Sequence, residues 1–194
     1  MMQTFTRFSA RSCLDAIRPA VALTVALAVV GAPIAACAEV TSVTPLVDKV
    51  RAVSARYSDM NATLHNGEGW VVGTPCVSGP NTGAMGVHLV LPGRIDGLVN
   101  VDEPEALIYE PMTDGSMHMV AVEYIVIAKA WAALHTDGST PALEGNLMNF
   151  VSAPNRYGLP DFYELHVWAW EQNPMGTYAD WNTHVTCEHQ ALFH

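Results

Sequence analysis

Positive charge is what this sequence has least of. Nine lysines and arginines stand against 19 acidic residues, for a formal net charge of −10. Three of the nine, Arg7, Arg11 and Arg18, crowd the start of the chain, leaving only Lys49, Arg51, Arg56, Arg94, Lys129 and Arg156 for the rest. Phosphate backbones require a basic face, so nucleic acid is excluded as a partner and anionic membrane surfaces are disfavoured for the same reason. A metal cation or a neutral small molecule is easier to accommodate. Familiar catalytic spacings are missing as well. The chain has no His-x-His or His-Glu-x-x-His pair. Neither Ser78 nor Ser152 sits in a Gly-x-Ser-x-Gly elbow. The glycines between Gly79 and Gly86 have no Lys or Arg beside them to hold a phosphate. Internal repeats and low-complexity segments are absent too.

What the chain does have begins with an address. Arg7, Arg11 and Arg18 form a basic region, residues 20–30 are apolar, and Gly31-Ala-Pro33 breaks the run ahead of small residues. This pattern predicts a secretory signal over residues 1–38 and a single globular domain over 39–194. Ala36-Cys37-Ala38 suits simple cleavage, whereas Ile34-Ala-Ala-Cys37 resembles the lipoprotein box in which the cysteine is acylated. An uncleaved anchor over residues 19–38 is a third reading. The expected location is outside the cytoplasm: periplasmic, secreted or lipid-anchored, with the signal or the lipid as the membrane contact. Removing a leader with three arginines and one aspartate takes the net charge from −10 to −12. Of the 4 cysteines, Cys13 and Cys37 leave or are lipidated. Cys76 and Cys187 remain, an even pair that reads as a disulfide in an exported protein, against the alternative of two separate thiols.

Patterning then predicts an α+β fold: an N-terminal amphipathic helix followed by a mainly antiparallel β-sheet with long loops and one disulfide. Thr44 caps and Pro45 opens a helix to about residue 64, with Leu46, Val50, Val53 and Tyr57 along one stripe. Residues 73–86 read as a loop, because prolines and glycines punctuate them. Strands are expected at 85–91, 106–111 and 117–128, the last two joined through the Asp114-Gly115 turn. A final strand begins near Asp161. Residues 129–135 are short helix or irregular, and 154–160 a non-regular connection.

Candidate chemistry lies inside those strands. Strand alternation puts Glu164, His166, Trp168 and Trp170 on one face, buries His88 between Gly86 and Val90, and makes Glu123 interrupt an otherwise apolar face. Unpaired buried carboxylates are costly, so these groups need partners and can find them in one another. Two histidines and a glutamate suit a divalent metal, making His88, His166 and Glu123 the expected ligands of Zn, Cu or Fe, with positions left open to water or substrate. Acid–base chemistry would instead use Glu123 with Glu110 or Glu164. A third reading has no catalysis: Trp168, Trp170, Tyr124 and Tyr163 line an apolar pocket in which Glu164 orients a ligand. In the fourth, all are satisfied core residues of an envelope protein.

Four stretches carry a resemblance. Gly83-Ala-Met-Gly-Val-His88, Pro104-Glu-Ala-Leu-Ile-Tyr-Glu-Pro111, Val122-Glu-Tyr124, and Tyr163-Glu-Leu-His-Val-Trp168 followed by Asn173-Pro-Met-Gly176 together resemble an uncharacterised family of exported bacterial proteins. The resemblance spans residues 57–187. It implies an exported bacterial domain in which the Cys76 and Cys187 positions pair, and it supplies no activity, cofactor or catalytic residue.

Overall fold

The computed structural model describes residues 44–190. The expected leader, Cys13, Cys37 and every cleavage reading lie outside them. No helix among the described residues is long and apolar enough to cross a membrane.

Two short helices open the described chain. The first, α1 (Pro45–Ser54), starts where the Thr44 hydroxyl accepts from the Val47 amide at 3.4 Å and Pro45 supplies a first-turn residue that needs no amide partner. It buries Leu46, Val47, Val50 and Ser54. The Ser54 hydroxyl then bonds back to the Val50 carbonyl at 2.5 Å, and a 3-10 turn follows at Ala55–Tyr57. Asp59 restarts the helix as the cap of α2 (Met60–Leu64), accepting from Ala62 at 2.9 Å.

β1 (Val71–Gly79), β2 (Gly83–Val90), β3 (Ala106–Pro111) and β4 (Met117–Ile127) follow as an antiparallel meander. α3 (Ala128–Leu134) leads to a small pair, β5 (Ala142–Leu143) and β6 (Asn146–Leu147), then β7 (Asn149–Val151) and β8 (Phe162–Val167). The main sheet has six strands in the order β1-β2-β3-β4-β8-β7, all antiparallel. Residues 73–86, expected as a loop, are instead mostly a hairpin. Pro75 is tolerated because β1 is an edge strand, and register shifts between Val72 and Ser78 absorb the irregular residues.

Period-2 alternation gives the sheet two covered faces. One joins Val87, Leu89, Leu107, Tyr109, Val122, Tyr124, Val126, Leu165 and Val167 to the α1 stripe in the largest apolar cluster. The other carries two smaller clusters: Ala84, Ile108, Ala121 and Trp168 in one, and Val90, Ala106, Ile125 and Phe162 in the other. His88, Glu123, Glu164 and His166 occupy the strand positions between those clusters, a polar band inside an apolar face. Met119 packs on the side opposite Ala121, out of step with strand alternation. A register shift between Ile108 and Tyr109 leaves Val120 as the extra residue, and its carbonyl accepts both Trp170 and Glu171 amides.

The C-terminal segment is fastened back onto β1, β2 and β3. Cys76 and Cys187 form a disulfide with Cα atoms 5.6 Å apart, across a sequence separation of 111. Glu110 accepts from the Thr186 amide at 2.9 Å, and Ala84 and Asn182 exchange backbone bonds of 3.1 Å.

Candidate metal centre

Glu123 and His166 are direct partners across β4 and β8, while His88 comes from β2, two strands away from β4. Strands lie about 4.8 Å apart, so His88 must reach over β3. The β3 residue opposite Glu123 is Ala106, whose methyl leaves that path open. All three side chains are fully buried. Glu123 Oε2 lies 3.5 Å from His88 Nε2 and 3.8 Å from His166 Nε2, and the three can present one ligand atom each within 4.8 Å of one another.

The other edges of these groups are held by the surrounding structure. His88 Nδ1 is 2.8 Å from the Thr74 hydroxyl on β1. Asp180 Oδ1 stands 3.7 Å from His166 Nδ1, just beyond hydrogen-bond reach. Arg156 Nη2 donates to Glu123 Oε1 at 2.5 Å and to Glu164 Oε2 at 2.6 Å, and the Tyr157 hydroxyl donates to Glu123 Oε2. Arg156 and Tyr157 sit on the β7–β8 connection. Asn155 stiffens it, accepting from the Tyr157 and Leu159 amides at 3.2 Å each. Glu164, His166 and Asp180 form a second cluster of potential ligands around the same imidazole.

Burial sets the protonation states. It drives the His88 imidazole well below its ordinary pKa, and the Arg156 charge adds to the effect, so His88 is neutral with a lone pair to give. Burial raises the Glu123 carboxyl, against the pull of Arg156 and the Tyr157 hydrogen bond. Glu164 is pushed up to about 7, by burial first and by the neighbouring Glu123 second. Burial and Glu123 push the Tyr157 hydroxyl far up, keeping it a donor. The imidazole of His166 holds the Asp180 carboxyl below the usual range.

Four buried nitrogens have no hydrogen-bond partner among the described residues: His88 Nε2, His166 Nε2, His166 Nδ1 and Arg156 Nε. An unmet buried polar atom costs about 1–3 kcal/mol, so two imidazole nitrogens facing one carboxylate oxygen call for a third body. Zinc-type bonds of about 2.1 Å span chords of 3.5 and 3.8 Å at angles of roughly 110° and 130°. The donor set and these two spacings suit a divalent ion, and the group could hold one.

The other expected site residues separate. Glu110 is taken by the Thr186 amide at the far end of β3, four residues and about 13 Å of strand from Ala106, the register partner of Glu123. Acid–base pairing of Glu110 with Glu123 is thereby corrected. Tyr124 lies on the opposite face, since alternation turns it away from Glu123, and its hydroxyl bonds the Val101 carbonyl at 2.7 Å. Tyr163 is turned away likewise, against Phe150. Trp168 does lie by His166, rings stacked with centroids 6.3 Å apart. Trp170 is beyond the end of β8, where alternation no longer applies, and its indole N–H reaches Ser54 at 3.3 Å. Only Glu164 of the expected orienting groups joins the polar band.

Sequence reasoning missed Arg156, Tyr157, Thr74 and Asp180. Arg156 carried one signal, being the only cation in the connection 154–160 of a chain short of partners for its buried carboxylates. The others lie in a bulged edge strand and a loop, where no periodicity says which way a side chain points.

No protein-family model matches this chain, and no curated protein and no solved structure is significantly similar to it.

Proposed function

We propose that this is an exported metal-binding domain whose ion is held by His88 Nε2, His166 Nε2 and Glu123 Oε2. The observation that carries this reading is the pair of buried, unpartnered imidazole nitrogens close to one carboxylate oxygen. Arg156 occupies Oε1, and Oε2, which accepts from Tyr157 with one lone pair, has its second lone pair for the ion. Thr74 and Asp180 stand behind the two rings, where orienting groups of histidine ligands are placed. Two imidazoles and a carboxylate suit Zn, Cu or Fe(II). Glu164 and Asp180, two further carboxylates near His166, offset the repulsion between the ion and the Arg156 guanidinium. Because all three ligands are fully buried, the ion exchanges through movement of the connection that carries Arg156 and Tyr157. The leader pattern and an oxidised cysteine pair support a location outside the cytoplasm.

Elemental analysis of protein purified without a histidine tag tests the proposal. The expected result is one equivalent of a transition ion per chain, restored after chelation by Zn, Cu or Fe(II) with a rise in melting temperature, as ligand linkage requires. His88→Ala and His166→Ala should abolish both. Metal-free protein whose melting temperature responds to none of the three ions would refute it.

A further inference from the structure

A crevice of about 300 Å³ opens between the start of α1 and the segment after β8, with Arg51, Trp168, Trp170, Glu171, Gln172 and Thr177 among its walls. Five of its polar side chains already have partners, whereas among the described residues Gln172 and Thr177 bond only through their backbone carbonyls. The Trp168 indole N–H donates to the Ala179 carbonyl at 2.6 Å and that of Trp170 to Ser54 at 3.3 Å, so both rings are spent as donors. Asn173 gives its amide nitrogen to the Trp181 carbonyl at 2.8 Å and accepts from Met175 at 2.9 Å. Thr44 is shared between the Val47 amide and the Tyr178 hydroxyl. Glu171 is drawn towards His184, 3.6 Å away.

Arg51 differs. Its Nε donates to the Ala169 carbonyl at 2.6 Å, which fixes the guanidinium, yet the nearest carboxylate to Nη1 is Asp48 at 3.9 Å. The terminal nitrogens of a positioned guanidinium are thus left without a close carboxylate among the described residues. Trp170 lines the same crevice and is 39% exposed. Indole surface and a fork of N–H donors together match a flat ring bearing a carboxylate.

We infer that this crevice is a binding site for small aromatic carboxylates, with the ring against Trp170 and the carboxylate on the Nη groups of Arg51. The site is distinct from the proposed metal centre and does not depend on it. Trp168 lines the crevice and also stacks on His166, so the two lie one indole apart.

Benzoate is the probe and benzamide its neutral counterpart, titrated into the full chain by calorimetry and by tryptophan fluorescence. Saturable benzoate binding is expected, at least tenfold tighter than benzamide, and weakened tenfold or more by Arg51→Gln. Trp170→Ala, a change at a partly exposed ring, should weaken benzoate and benzamide alike. His88→Ala should leave benzoate affinity unchanged even where it removes the metal, which keeps this test apart from that of the centre. Equal affinity for the two probes, no saturation in the unaltered protein, or loss of benzoate binding in His88→Ala would each overturn the inference, the last by assigning the probe to the metal.

Discussion

One nitrogen of Arg156 holds two buried carboxylates, Glu123 and Glu164. Burying a charge is tolerable only while it is paired, and removing one partner of a buried pair costs about 3–5 kcal/mol. Arg156→Met should therefore lower urea stability by that order in metal-free protein. Because a divalent ion would supply the missing positive charge, zinc should stabilise Arg156→Met more than the unaltered protein. Equal zinc effects in urea unfolding of the two would contradict an ion bound at Glu123. A second buried carboxylate lies outside the centre. Glu105 is almost fully buried, accepts the Ile125 amide at 2.9 Å, and is pushed up to about 8, chiefly by burial. Its folded pKa exceeds its ordinary value of 4.5, so the folded state holds the proton more tightly. Its stabilising contribution is complete below pH 4.5 and is lost as pH rises through about 8, at up to about 1.4 kcal/mol per pH unit. Glu105→Gln keeps an acceptor and removes the titration, so its urea midpoint should fall less between pH 5 and pH 8. Glu164 titrates in the same direction in both proteins and cancels from the comparison. Parallel pH profiles would refute the assignment to Glu105.

At the scale of elements, β2 shows how tightly the band is built. Gly86, one turn of the alternation before His88, has φ +111°, and a Cβ there would meet the Tyr109 carbonyl oxygen at 2.7 Å and an Ile108 methyl at 2.9 Å. Gly86→Ala combines backbone strain with overpacking, each worth about 1–3 kcal/mol. It should lower the urea midpoint accordingly and weaken metal binding through His88; a stability loss under about 0.5 kcal/mol would show that β2 is free to move. The antiparallel sheet and the face shared by Glu164 and His166 were legible because period 2 fixes direction inside a strand, and alternation held one residue past the end of β8, to Trp168. His88 and Glu123 stood out as lone ionisable residues in apolar runs. Outside strands that rule lapses. Trp170 was placed by extending alternation past the end of β8, and residues 73–86 were read as loop because composition does not reveal that a proline falls on an edge strand. Tyr124 was legible as facing away from Glu123, and the pocket that joined it to Trp168 needed both sides of one sheet. No local pattern could bring Arg156, from a connection between strands, onto the band.

For the whole molecule, the disulfide ties the edge strand β1 to the C-terminal segment, and β1 also carries Thr74, the partner of His88. Closing a loop of about 110 residues is worth roughly 4–5 kcal/mol in the chain-entropy account. Replacing Cys76 and Cys187 by serine should cost that order in urea unfolding, and metal affinity should fall as β1 loosens. Unchanged stability would show that the hydrogen bonds of Thr186, Ala84 and Gln190 hold this end without the bond. An acidic domain with a closed disulfide and a buried two-histidine, one-carboxylate cluster is a coherent object if an ion fills the cluster, and holds unmet polar atoms at its centre if none does. The most direct measurement is a cobalt(II) titration of tag-free, chelator-treated protein followed by visible absorption. Saturable d–d bands at one ion per chain, lost in His88→Ala and Glu123→Gln, are the expected result. Folded protein that gives no such bands, or bands indifferent to both substitutions, would contradict the metal centre.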